Sequence, residues 1–122
     1  MKWPSALLVF SLGSMVMPFA AQSDEVYVSG AGTSSCGEYL AARAKRSDAV
    51  DAQFWQWTHG YLSGYNMEKK DTDPAIPMIP DGPTVLAYLD KHCAQNPLST
   101  PLVGTSNLVR ELTDRPKRYP TN

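Results

Sequence analysis

Residues 47–67 read SDAVDAQFWQWTHGYLSGYNM, and this stretch decides the fold because it predicts one long helix. Ser47 or Asp48 can serve as its N-cap, and a helix of this length spans roughly 30 Å at 1.5 Å per residue. Its large aromatic side chains recur every three to four residues, which is the period of one helix face. This aromatic face consists of Phe54, Trp57, Tyr61 and Tyr65, with Gly60 and Gly64 beside it.

The two glycines within this helix need an explanation, because each costs about 1 kcal/mol of helix propensity relative to alanine. One explanation is that Gly60 and Gly64 allow a neighbouring helix to approach the aromatic face closely. The other is that the face forms a groove for a binding partner. The sequence favours helix packing and leaves partner binding as the alternative.

A capping-box motif predicts the start of an earlier helix. Ser35 is the expected N-cap and Glu38 occupies the third helical position, so that each can satisfy a backbone N–H of the other. The helix is expected to end near residue 45. Its predicted inner side, at spacings of three and four, consists of Cys36, Tyr39, Leu40 and Arg43.

Two further helices are predicted after residue 80. Asp81 caps the third helix, Pro83 fits its first turn, and Asn96 followed by proline ends it. Thr100 and Pro101 open the fourth helix as N-cap and first helical residue. The predicted inner side of the third helix is Val85, Leu86, Leu89, His92 and Cys93, and that of the fourth is Leu102, Val103, Val109 and Leu112.

The N-terminus has the pattern of a cleavable signal peptide. Lys2 supplies a positive charge, residues 6–19 are mainly apolar, and Ala21 and Ser23 are small residues at the −3 and −1 positions of a cleavage site before Asp24. A membrane anchor is the alternative, but a span needs roughly 20 apolar residues, and this stretch is shorter.

Removing 23 of the 122 residues leaves a chain of 99, which is the size of one domain. We predict an extended arm at 24–35, an all-α four-helix domain at 36–114 and a flexible tail at 115–122. Cys36 and Cys93 are the two cysteines, and an even count in an exported chain predicts a disulfide. Such a bond would stabilise the fold by about 4 kcal/mol in the chain-entropy model.

Composition argues against several classes of function. The chain without the signal peptide carries ten basic and twelve acidic side chains, a net charge of −2, which argues against nucleic-acid binding and, after signal cleavage, against membrane insertion. The cysteines and histidines lack zinc-ligand spacing, so no metal or other cofactor is predicted. Ser63 is one place off a G-x-S-x-G elbow and lies mid-helix, so no catalytic residue is assigned.

Two short motifs resemble known families of small exported helical proteins. Residues 57–64, WTHGYLSG, resemble the aromatic-x-x-Gly-Tyr-aliphatic-x-Gly core of the Rap/Tai immunity proteins of type VI secretion. Residues 36–40, CGEYL, resemble the Cys-Glu-aromatic-Leu segment that opens the first helix of the HdeA/HdeB acid-stress chaperones, where a second cysteine closes a later helix as Cys93 would here. The resemblance covers roughly residues 36–112.

The resemblance implies a periplasmic, or secreted, non-enzymatic domain that binds other proteins. The favoured expectation is an HdeA/HdeB-like chaperone for acid or envelope stress, whose partners are client polypeptides. The alternative is an immunity protein that neutralises one toxin delivered into the periplasm. A small hydrolase or metal-binding protein is the disfavoured third possibility. Proteins of different activity share this arrangement of helices and cysteines, so a choice among these functions depends on the functional site and not on the fold. The sequence leaves the oligomeric state open.

Overall fold

The computed structural model describes residues 26–69 and 74–118, and within them the chain is all-helical with no strand. This confirms the predicted all-α, four-helix fold with one disulfide. The predicted signal peptide at 1–23 lies outside the described residues. A single 3-10 turn, Ala31–Thr33, precedes the four helices, which are α1 (Cys36–Arg43), α2 (Asp48–Glu68), α3 (Gly82–Gln95) and α4 (Pro101–Arg118).

Helices α1 and α3 begin where side chains satisfy the first free backbone N–H groups, whereas the Ser47 side chain forms no such bond at the start of α2. Ser35 Oγ accepts from the Glu38 backbone N–H at 3.1 Å, and Glu38 Oε2 accepts from the Ser35 backbone N–H at 2.9 Å. Asp81 Oδ1 accepts from the Thr84 backbone N–H at 2.8 Å. The backbone and side chain of Ser35 lower the pKa of Glu38, and the side chain and backbone N–H of Thr84 lower the pKa of Asp81, because these contacts favour the ionised carboxylate. The predicted caps of α1 and α3 are therefore confirmed.

The hydrophobic core lies where α3 contacts each of the other three helices. The rings of Tyr39 and Phe54 meet edge to face at 4.7 Å between centroids, which joins α1 to α2. All five residues predicted for the inner side of α3 are buried. The buried apolar side chains are Cys36, Tyr39, Phe54, Leu62, Ile76, Val85, Leu86, Leu89, Cys93, Leu108, Val109 and Leu112.

The inner side of α4 differs from the prediction at two positions. Val103 is 46% exposed, whereas Leu108, which the prediction omitted, is buried. Pro101 is fully buried, and a residue two places further along an α-helix points about 200° away from it. Val103 therefore faces outward. The helix also continues through Arg118, so it includes the first four residues of the tail predicted at 115–122.

A disulfide joins Cys36, in the first turn of α1, to Cys93, in the last turns of α3, with 4.9 Å between their Cα atoms. Both residues are fully buried. The backbone N–H of Cys36 also donates to the carbonyl of Ser99 at 2.9 Å. The start of α1 is thus tied both to α3 and to the turn that leads into α4.

The segments outside the helices depart from the predictions in detail. The predicted extended arm contains the 3-10 turn, and Gly32 within it is buried. In the loop before α3, Ile76 enters the core, whereas Met78, two residues further on, is 78% exposed. The reason is the Asn66 side-chain amide, which bonds both the N–H and the carbonyl of Ile76, at 2.9 and 3.1 Å, and fixes that residue inward.

Candidate functional site

The aromatic face of α2 is engaged within the protein. Phe54 is buried against Tyr39. Trp57 stacks on Tyr61 with 5.8 Å between ring centroids, and the Tyr61 hydroxyl lies 3.3 Å from an α4 hydroxyl, that of Ser106. These contacts attach α1 and α4 to the predicted face of α2.

Tyr65 is the remaining aromatic residue of that face, and it holds the loop after α2. Its hydroxyl donates to the Pro74 carbonyl at 3.2 Å, and the Lys69 ammonium lies 4.1 Å from the centroid of its ring. A cation over an aromatic face is attracted by the ring quadrupole. Each aromatic side chain of the face therefore has a partner within the chain, so binding by this surface would require some of these contacts to open.

The Gly30-Ala31-Gly32 segment forms a cradle for the indole of Trp57. Trp57 Nε1 donates to the Ser29 carbonyl at 2.9 Å. A Cβ on Gly32 would lie 2.1 Å from the indole ring, and one on Gly30 would lie 2.7 Å from its nitrogen. Gly30 also has φ +102°, a conformation that glycine adopts without strain. The two glycines thus serve close packing of the arm on α2.

The predicted packing role of Gly60 and Gly64 is wrong. A Cβ built on either residue would meet no atom within 4 Å among the described residues beyond their own helix. The close approach occurs instead at Gly104 on α4, where a Cβ would lie 2.9 Å from the His92 ring and 3.0 Å from Leu89. The spacing of glycines in one helix does not say where a second helix crosses it. Partner binding at Gly60 and Gly64 stays a prediction.

An open apolar cleft of about 670 Å³ lies between α3, α4 and the loop that precedes α3. Val85, Leu108 and Leu112 are buried side chains that form part of its wall, and Ile79 is half-buried beside them. Met78 lines the same cleft and is largely exposed. Sequence reasoning missed the cleft, and its only sequence signal was the apolar pair Met78 and Ile79 in the loop before α3.

Polar groups surround this cleft. Burial, together with the nearby Glu111 carboxylate, raises the pKa of Tyr88. Asp81 lies at the N-terminal end of α3 and is occupied as its cap. Lys91 lies ten residues further along and is exposed. Among the residues that the structure describes, no carboxylate forms an ion pair with Lys91.

A charged network joins three helices on another side of the protein. Arg43 of α1 donates to both carboxylate oxygens of Asp90 on α3, at 3.0 and 2.9 Å, and lies 2.5 Å from Asp51 of α2. The Tyr39 hydroxyl donates to Asp90 at 2.7 Å. Burial alone would raise the pKa of Asp90, but the bonds from Arg43 and Tyr39 and the guanidinium charge outweigh it, so this pKa is lowered.

The histidines occupy structural positions. His59 Nε2 lies 2.8 Å from the Pro80 carbonyl, and His92 Nε2 lies 2.9 Å from the Ser99 hydroxyl. Within residues 26–69 and 74–118, no three His, Cys, Asp or Glu side chains group together as a metal site would require. No helix in this part of the chain has the length and apolar character needed to cross a membrane.

Comparison with known proteins gives no relative: no family model, no curated protein and no solved structure matches the chain. The resemblance of residues 36–40 and 57–64 to two exported families therefore stays a prediction. The cleft between α3 and α4 is the candidate site, because its apolar wall is accessible in the folded protein.

Proposed function

We propose that the chain is an exported, non-enzymatic domain that binds other proteins, of the HdeA/HdeB-like chaperone type. The cleft between α3 and α4 is the observation that carries this proposal. At about 670 Å³, it has the size of a binding site for several side chains, and its wall is mainly apolar. Met78 at its edge has a flexible, polarisable side chain that adapts to different partners.

The charged network around Asp90 supports the acid-stress part of this proposal. A carboxylate with a lowered pKa in the fold stabilises the protein above its unfolded pKa of about 3.9, and this contribution is lost as the pH falls through the lower, folded value. Protonation of Asp90 would weaken its ties to Arg43 and Tyr39. α1 would then loosen from α3 except at the disulfide.

The change in net charge on acidification would also destabilise the fold. The chain from residue 24 has a net charge of −2 near neutral pH, and about +12 from its ten basic side chains and two histidines once every carboxylate is protonated. Such self-repulsion loosens a small domain. In the proposed chaperone, acid would release the internal contacts of Trp57, Tyr61 and Tyr65 and add the aromatic face to the apolar surface that clients contact.

Export to the periplasm is part of the proposal. The buried disulfide is compatible with an oxidising compartment. In a Gram-negative host, we expect osmotic-shock fractions to contain a chain whose N-terminal residue is Asp24. Recovery of only the uncleaved chain in the cytoplasm would contradict export.

Light scattering tests the chaperone activity. An aggregation-prone client is acid-denatured at about pH 2–3 and then neutralised, with and without this protein. We expect suppression of scattering at equimolar ratio, and less suppression by Ala87→Trp, which fills the cleft from an exposed position of α3. Ala41→Trp, at an exposed position of α1 outside the cleft, is the matched control. Absence of suppression by the unmodified protein would reject the chaperone proposal.

A second candidate, an immunity protein with one dedicated partner, is favoured by the accessibility of the same cleft without any loosening of the fold. The cleft is open in the folded state, whereas the aromatic face is engaged internally, so tight binding at neutral pH would need no loosening. Tight capture of a single toxin at pH 7 and neutralisation of its toxicity would support this function. A series of unrelated clients bound only in acid would argue for the chaperone instead.

A further inference from the structure

We infer that Trp57 of α2 is the centre of a peptide-binding site that the chain's own arm fills, and that the partner segment this site takes is a Gly-x-Gly turn followed by two hydroxyl residues. The arm shows the motif, because residues 29–34 read SGAGTS. This inference rests on the proposed protein-binding function, and it adds an internally occupied site to the open cleft. A partner would bind there by displacing the arm.

The first support is the close fit between the arm and the indole. A Cβ on Gly30 would lie 2.7 Å from the indole nitrogen of Trp57, and one on Gly32 would lie 2.1 Å from its ring. Ala31, between the two glycines, is half-buried and packs against the hydrophobic core. Trp57 Nε1 donates to the Ser29 carbonyl at 2.9 Å. The indole therefore selects Gly-x-Gly, because any larger residue at either glycine position would clash with it.

The second support is that the turn of the arm supplies its own hydrogen bonds. The backbone N–H and the hydroxyl of Thr33 both donate to the Gly30 carbonyl, at 3.0 and 2.9 Å. The hydroxyl of Ser34 donates to the Ala31 carbonyl at 2.9 Å. The carbonyl groups of the turn are thus paired within six residues of chain. A separate peptide with the same sequence can therefore form the same turn, and the two hydroxyl residues belong to the motif.

The third support is the way in which the arm is attached. The arm joins the helices at Ser35, the N-cap of α1, whereas Val26 and Tyr27, towards its other end, are 82% and 89% exposed. Between these points the 3-10 turn contacts α2 and α4. A short surface segment of this kind can open locally at a lower free-energy cost than unfolding of the helices. While attached, however, it competes with a free peptide at an effective concentration of about millimolar.

The test opens the site in the proposed mature chain, residues 24–122, and adds the arm back as a peptide. Gly32→Ala places a Cβ against the indole and should release the arm, which faster hydrogen exchange at residues 29–33 would establish. A fluorescent peptide of residues 26–34 should bind this variant at least about ten-fold more tightly than it binds the unmodified protein, whose attached arm competes. A peptide that itself carries Gly32→Ala should bind the opened variant at least about ten-fold more weakly, because it overpacks the indole.

Matched variants locate the site. Gly37→Ala, whose Cβ has only an ordinary contact at 3.8 Å, should bind the peptide no better than the unmodified protein does. Adding Trp57→Ala to the opened variant should weaken peptide binding at least about ten-fold, as loss of a central tryptophan does at other interfaces. If circular dichroism shows that Gly32→Ala is unfolded, Gly30→Ala takes its place, since a φ of +102° strains any residue that has a Cβ.

Three results would each overturn the inference: no peptide binding to the opened variant, equal binding of a scrambled peptide, or an arm that stays in place in both glycine variants. The proposed function has a separate readout in the suppression of client aggregation by the unmodified protein. If that suppression were observed together with any of the three results, the proposed function would stand while this inference fell.

Discussion

Three glycine-to-alanine substitutions test the packing of α2 and α4 most directly. Gly60, Gly64 and Gly104 all lie in helices without positive φ, so alanine fits each backbone conformation. Each change gains about 1 kcal/mol of helix propensity. At Gly60 and Gly64 nothing opposes the gain, because a Cβ meets no atom within 4 Å in the described structure. Each variant should therefore be about 1 kcal/mol more stable, or melt about 4–8 °C higher.

Gly104 should respond in the opposite direction. A Cβ on Gly104 would lie 2.9 Å from the nearest atom of the His92 ring and 3.0 Å from Leu89. The His92 ring cannot move away easily, because it is buried and hydrogen-bonded to the Ser99 hydroxyl. Overpacking of this kind costs about 1–3 kcal/mol. Since the gain in propensity is common to all three positions, the difference between Gly104→Ala and Gly60→Ala isolates the overpacking cost. We expect that difference to be about 1–3 kcal/mol.

Urea unfolding followed by far-ultraviolet circular dichroism measures these free energies. Slopes equal to that of the unmodified protein would establish that the same surface is exposed on unfolding. Equal stabilisation by all three substitutions would refute the close approach at Gly104. Destabilisation by Gly60→Ala or Gly64→Ala would restore the helix-packing role that the structure contradicts.

Three further predictions concern other contacts. Cys93→Ser should lower the free energy of unfolding by about 4 kcal/mol in urea, and alkylation of the unmodified protein without reductant should leave its mass unchanged; an alkylated native chain would contradict the bond. In Asp90→Asn, stability should decrease less steeply as the pH falls below about 4, because the carboxylate with the lowered pKa is absent. An unchanged decrease of the melting temperature over this pH range would contradict this prediction. Gly32→Ala should displace the indole of Trp57 and speed hydrogen exchange at residues 29–33, whereas the control Gly37→Ala, whose Cβ has only an ordinary contact at 3.8 Å, should not.

The starts of α1 and α3 are predictable from sequence because their chemistry is local. The Ser35 and Asp81 side chains bond backbone groups three residues away, so a short window of sequence contains the whole interaction. The disulfide is predictable for a different reason. The sequence contains two cysteines, so Cys36 and Cys93 have only each other as intramolecular partners.

Contacts between elements depend on where helices cross, which a single sequence does not state. Gly64 and Gly104 are both helical glycines, but only the second lies beneath a neighbouring side chain. The cleft is similar, because Met78 and Leu112 come from segments more than thirty residues apart and become neighbours only through the α3–α4 hairpin. The role of Gly30 and Gly32 was equally hidden, since the indole that they accommodate belongs to Trp57 on another element.

The disulfide also decides how far this protein can be pulled. Cys36–Cys93 closes a covalent ring that contains α1, α2 and most of α3, so tension on the two ends bypasses the chain between the two cysteines. In the proposed mature chain, residues 24–122, the twelve residues before the ring and the 29 after it, 41 in all, can be drawn out as single chain. Their extended length is about 140 Å, compared with about 340 Å for the reduced chain. A processive protease that pulls from the C-terminal end would therefore unravel α4 first. It would then have to pass two strands of the disulfide-closed ring at once, as would a narrow channel through which the chain is drawn.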